Sequence, residues 1–145
     1  MAEIAEETER HIDYAKRFRT NEFVIHDRVD AISHATCGMA IDIGAKVIVV
    51  TSMSGMTVRM VSRFRAPMDI VGMATNKRVW YKLSLSWGVL PVLSEQFNST
   101  DVLFYHALRA ARDTMHLQPG DNVVMTGGIT NGKSGNTNLI KIEAV

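Results

Sequence analysis

The chain has 145 residues, 46% hydrophobic and 21% charged, which suits one domain with an ordinary core and argues against disorder. A net charge of +1 supplies no overall field for nucleic acid or an anionic membrane, so any anion site has to be local. The single cysteine, Cys37, excludes an internal disulfide and suits a reducing compartment. The absence of an apolar stretch of membrane-spanning length and of a signal-peptide core points to a cytoplasmic protein.

Residues 1–20 read as helical but weakly amphipathic. Ile4, Ile12, Ala15 and Phe18 are too few apolar groups to bury such a helix well, so the segment is expected to be a linker to a domain spanning 21–145. In "DRVDAISHATCGMAIDIG", Asp27 is a plausible N-cap and Gly44 a natural stop. Between them Val29, Ile32, Thr36, Met39, Ala40 and Ile43 recur at helical spacing. "KVIVV" then reads as a short buried strand. A second helix is expected over 54–65, with Met56, Met60, Val61 and Phe64 on one side and Pro67 after it.

"DIVGMA" is the next strand, "NKRVWYKLSLS" a helix, and "GVLPVL" a strand whose Pro91 predicts an edge or a bulge. A cap at Ser99 or Thr100 opens a helix to about Met115. "PGD" turns the chain into the strand "NVVMT", and "NLIKIEAV" alternates as a half-buried strand does. Alternating strands and helices predict an α/β fold: a three-layer α/β/α sandwich on a mainly parallel sheet. With no helix between them, the last two strands should be antiparallel neighbours.

Two polar loops stand out. "TSMSG" follows the strand at 46–50, and ligands of such sheets sit beyond the carboxyl ends of the strands, where helix N-termini also point. Ser52, Ser54 and Thr57 offer hydroxyl donors, and Gly55 lets a backbone come close. The plainer alternative is that Ser54 merely caps the helix. In the second loop, "TGGITNGKSGNTN", Gly127, Gly132, Lys133 and Ser134 match the Walker A spacing. The context fails, because Gly135 and Asn136 follow at once and only a strand pattern remains. A nucleotide hydrolase is therefore rejected. What survives is a glycine-rich loop with one lysine, able to fold over an anion or simply to turn the chain.

Other chemistry is thin. His34 and Cys37 have a spacing that could join two metal ligands, but no second pair lies nearby and a structural role is expected. "TSMSG" lacks the first glycine of a nucleophile elbow. Arg59 and Arg63 stand one turn apart and could hold an anion or simply face solvent.

The stretch "AISHATCGMAIDIGAKVIVVTSMSGMTVRMVSRFRAPMDIVGMATN" resembles the C-terminal domain of pyruvate kinases, as do "LSLSWGVLPVL", "PGDNVVMTGG" and "GNTNLIKIEAV". The similarity runs from about residue 21 to Val145. "MAEIAEETER" resembles the last helix of that enzyme's catalytic barrel. The resemblance implies a five-stranded sheet with the last strand antiparallel. It also implies a regulatory role: a phosphorylated allosteric effector, with its phosphate in the loop Ser52, Met53, Ser54, Gly55 and Thr57. The loop Gly127, Gly132, Lys133, Ser134, Gly135 and Asn136 would close over the rest of the effector.

Assembly into a homo-oligomer is implied as well. "EQFNSTDVLFYHAL" departs from relatives activated by fructose bisphosphate, placing Asp101 about where an arginine would hold a second phosphate. A sugar phosphate or nucleotide monophosphate is therefore expected as the effector. No cofactor is expected in this chain, since magnesium and potassium belong to the barrel, and phosphoryl transfer from phosphoenolpyruvate to ADP is not expected of it alone. A structural oligomerisation module with an empty pocket is the competing expectation. No nucleic-acid or membrane partner is expected.

Overall fold

A computed structural model describes residues 1–128 and 136–145. The elements in chain order are α1 (Ala2–Arg10), α2 (Tyr14–Thr20), α3 (Arg28–Asp42), β1 (Val47–Thr51), α4 (Met56–Arg63), β2 (Asp69–Ala74), α5 (Lys77–Leu83), β3 (Val89–Leu93), α6 (Thr100–Met115), β4 (Asn122–Gly128) and β5 (Thr137–Ala144). The strands form one five-stranded sheet in the order β3-β2-β1-β4-β5. All neighbours are parallel except β4 and β5. The mixed sheet and its antiparallel end are as the sequence predicts.

Strand alternation sorts the core into two layers. Ile48, Val50, Ile70 and Val124 face α3, α4 and α5, packing with Cys37, Ala40, Val58, Val61 and Leu83. Val47, Val49, Val71, Val123 and Met125 face the other way, onto Phe104, Ala107 and Ala111 of α6. Strand β1 is covered on both faces, which is why its sequence is uninterrupted aliphatic. Pro91 sits in β3, which among the described residues pairs with β2 alone and in continuous register, so the missing N–H marks an edge and not a bulge.

Local signals set most element ends. The Asp27 carboxylate accepts from the Asp30 amide and caps α3, and the Asp30 carboxylate accepts from the His26 amide just before the cap. Residues 1–20 make two helices instead of one. Asp13 interrupts them and caps α2 by accepting from the Lys16 amide. Every residue of α1 is exposed, whereas Phe18 of α2 is buried against Phe23, Phe64 and His34.

The buried face of α3 also differs from the expected one. It carries Asp30, Ser33, Thr36, Cys37 and Ala40, while Val29, Ile32, Met39 and Ile43 are only half-buried. Small residues let α3 lie close to α4 and the sheet, and close approach outweighs hydrophobicity in choosing that face.

Candidate functional site

Strands β1 and β4 are parallel neighbours in register, Val47 opposite Val123 through Val50 opposite Thr126. Their carboxyl ends therefore lie side by side at one end of the sheet. Thr51 closes β1, and its Oγ1 donates to the Thr126 carbonyl at 3.4 Å. A Cβ on Gly127 would collide with Thr51 Oγ1, so this approach of the two strand ends requires glycine.

Beyond β1 the chain turns tightly into α4. The Ser52 Oγ accepts from the Gly55 amide at 3.0 Å, which folds the loop back on itself. Gly55 is the N-cap, with φ +76°. A Cβ there would come within 3.0 Å of Val79 Cγ1. The expectation that α4 begins at Ser54 with that serine as its cap is thus corrected. The helix runs 56–63, and Ser54 Oγ makes only a long 3.4 Å contact with the Met56 amide. Gly55 turns the chain into the helix in a left-handed conformation, and as N-cap it offers no side-chain acceptor to the first-turn amides.

The predicted site residues differ in accessibility. Met53 and Ser54 are exposed and Ser52 is half-buried, while Gly55 and Thr57 are buried. Thr57 Oγ1 lies 2.6 Å from Thr137 Oγ1, at the start of β5. This contact joins the head of α4 to the second loop's far end, where Thr137 pairs with Gly128. Gly127 and Asn136 bracket that loop. Gly132, Lys133, Ser134 and Gly135 lie outside the described residues. Thr137 opens a strand antiparallel to β4, which is not the helix a Walker A lysine must introduce.

The remaining sequence candidates are placed as follows. Asp101 is exposed in the first turn of α6. His34 stacks on Phe18 with ring centroids 4.9 Å apart, and Cys37 Sγ points to the Val61 carbonyl at 3.8 Å. Burial pushes the Cys37 thiol up to about 12. Among the described residues no three His, Cys, Asp or Glu side chains could hold a metal ion. No helix of the described residues is long and apolar enough to cross a membrane. Arg63 pairs with the buried Asp30 at 3.1 Å, while Arg59 is exposed. Thr137 was not distinguishable by sequence reasoning, since its role depends on a contact across 80 positions.

The arrangement is an α/β/α domain with a polar turn and the head of α4 beside the facing ends of β4 and β5, and no assembled catalytic or metal-binding group among the described residues. Residues 30–143 match the family described as pyruvate kinase, alpha/beta domain, and the chain belongs to that family. Over its full length it is 36% identical to a pyruvate kinase of Clostridium acetobutylicum, covering 31% of that protein. It is 31% identical to one of Lactobacillus delbrueckii subsp. bulgaricus and 32% identical to one of Staphylococcus saprophyticus, covering 25% of each. The chain thus spans a quarter to a third of the length of these relatives, and the resemblance in its sequence is borne out.

Proposed function

We propose that this domain is the regulatory and assembly unit of a pyruvate kinase, and that it binds a monophosphorylated metabolite at the head of α4. The observation that carries this reading is the tie between Thr57, at the head of α4, and Thr137, at the start of β5. The phosphate would lie against the first-turn amides of α4, where the positive end of the helix dipole points. The hydroxyls of Ser52 and Ser54 would supply further donors. Thr57 and Thr137 share a single hydrogen bond in which either hydroxyl can be the donor, so the pair leaves one proton over. Phosphoryl transfer from phosphoenolpyruvate to ADP is assigned to parts of the full-length relatives that lie outside these 145 residues, together with the magnesium and potassium it needs. Such an enzyme would work in the cytoplasm.

Calorimetry with glucose 6-phosphate, AMP and fructose 1,6-bisphosphate tests the proposal. Saturable binding of one of the monophosphates is expected. A hydrogen bond to a charged group contributes about 1.5–3 kcal/mol, so Ser52→Ala with Ser54→Ala should weaken binding at least tenfold. Unchanged affinity in that variant would remove the phosphate from this loop.

A second reading rests on β5. It is the last strand of the sheet, and β4 is its one partner among the described residues, so its outer edge can pair with a second copy. Ile140→Pro should then abolish dimers in sedimentation while phosphate titrations of the parent chain stay silent.

A further inference from the structure

A cleft unrelated to the α4 head lies where the C-terminal ends of α2 and α4 meet. Its rim carries Arg17, Asn21, Arg63 and Arg65, its floor includes Phe18 and Phe64, and its volume is about 200 Å³. Arg17 and Arg63 stand in the last turns of their helices, where cations complement the dipole. That preference explains basic residues at each helix end separately. It does not explain why three arginines line one cavity.

The three arginines meet one carboxylate between them, that of Asp30, which pairs with Arg63; Arg17 and Arg65 make no ion pair among the described residues. Two of the groups are held in place before any ligand arrives. Arg63 is fixed by Asp30 and lies 4.8 Å above the Phe64 ring, and Arg65 lies 4.7 Å above Trp87. Arg65 also has φ +53°, a left-handed conformation that a glycine adopts without strain and an arginine does not. Trp87 is itself fixed from the far side by Tyr14 and by a hydrogen bond to Glu9.

We infer that this cleft is a second anion site, taking a small dianion with a short body, a dicarboxylate or a phosphomonoester. Fixed guanidinium groups match the planar, bidentate geometry of carboxylates and phosphates. The aromatic floor takes the ligand's apolar body. The cavity is smaller than the pockets that enclose drug-sized ligands, which favours a small anion over a nucleotide.

The test uses the 145-residue chain labelled with nitrogen-15, in constant 150 mM sodium chloride. Succinate and inorganic phosphate are titrated separately, and the indole N–H resonance of Trp87 is followed. A saturable one-to-one shift is expected with one probe, and which probe saturates distinguishes the two classes. Arg17→Ala and Arg65→Gly should each weaken it at least tenfold. Arg65→Gly relieves the left-handed strain, so it keeps the fold while removing the guanidinium. Ser52→Ala with Ser54→Ala should leave the titration unchanged. The inference is overturned by the absence of saturation with both probes, by an equal shift with acetate, by binding that survives both arginine variants, or by loss in the serine variant.

Discussion

The hydroxyls of Thr57 and Thr137 lie 2.6 Å apart in the interior, one at the head of α4 and the other at the start of β5. Both residues are buried, so neither oxygen has water to fall back on. Removing one partner leaves the other unsatisfied at a cost of about 1–3 kcal/mol, whereas removing both replaces the pair by apolar contact. Thr57→Val and Thr137→Val are each expected to lower the urea midpoint, and the double variant to lose less than their sum. Because Thr137 is tied to Thr57 at the head of α4, Thr137→Val should also weaken the proposed effector binding without touching the phosphate. A fully additive cycle would show that the two hydroxyls do not interact.

Gly55 carries a second expectation. Its φ of +76° lies where an L side chain is strained, and an added Cβ meets Val79 at 3.0 Å and Leu83 at 3.2 Å. Gly55→Ala should destabilise the domain by about 1–2 kcal/mol, more than any serine-to-alanine change in the same loop. Thermal unfolding of Gly55→Ala beside Ser54→Ala measures this, and equal midpoints would contradict the assignment of the cap to Gly55.

Much of this architecture was legible in residue patterns because the signals were local. Asp27 before a helix, Gly44 after one (φ +61°), Pro91 in an edge strand and the aliphatic run of β1 each act through their own backbone. What was not legible depends on contacts distant in sequence. Phe18 is buried by an aromatic cluster contributed by Phe23, His34 and Phe64, which α2 does not encode. Of the α3 residues read at helical spacing, Thr36 and Ala40 are buried and Val29, Ile32, Met39 and Ile43 half-buried, because the closest packing falls to the small Ser33 and Cys37 and to Asp30, which is held by Arg63 and the His26 amide. At the candidate site, Ser52, Met53, Ser54, Gly55 and Thr57 were legible as a polar turn after a buried strand. Which atom caps α4 depends on one dihedral angle at Gly55, and the sequence leaves that open.

Asp30 joins three elements through one carboxylate. It accepts from the His26 amide at 3.2 Å and from Arg63 at 3.1 Å, and its own amide is capped by Asp27. Its side chain is 5% exposed and that of Arg63 is 44% exposed, so the arginine end of the pair is screened by water. Arg63→Ala leaves the buried Asp30 carboxylate with the His26 amide alone, whereas Asp30→Ala leaves an arginine that water can solvate. Arg63→Ala should therefore cost about 1.5–3 kcal/mol, and at least as much as Asp30→Ala. Denaturant unfolding of the two variants checks the order, and a clearly smaller loss in Arg63→Ala would show that the Asp30 carboxylate does not depend on its partner.

Cys37 is fully buried between α3 and α4, and loss of water around the thiolate raises its pKa from 9.0 to about 12. Two consequences follow from the same desolvation. A thiol that cannot ionise does not attack, so the folded domain should react with a disulfide reagent at pH 8 only as fast as it opens, and denaturant should release full reactivity. The pH dependence has a definite sign. Between pH 9 and 12 the folded state keeps the thiol proton that the unfolded state has lost, so stability falls as pH rises through this window. The slope attributable to this group is at most about 1.4 kcal/mol per pH unit. Cys37→Ala removes the titrating group, at the expense of some packing, so its stability should change less between pH 9 and 11 than that of the parent chain. Parallel slopes in the two proteins would mean that Cys37 ionises as readily inside the fold as outside it.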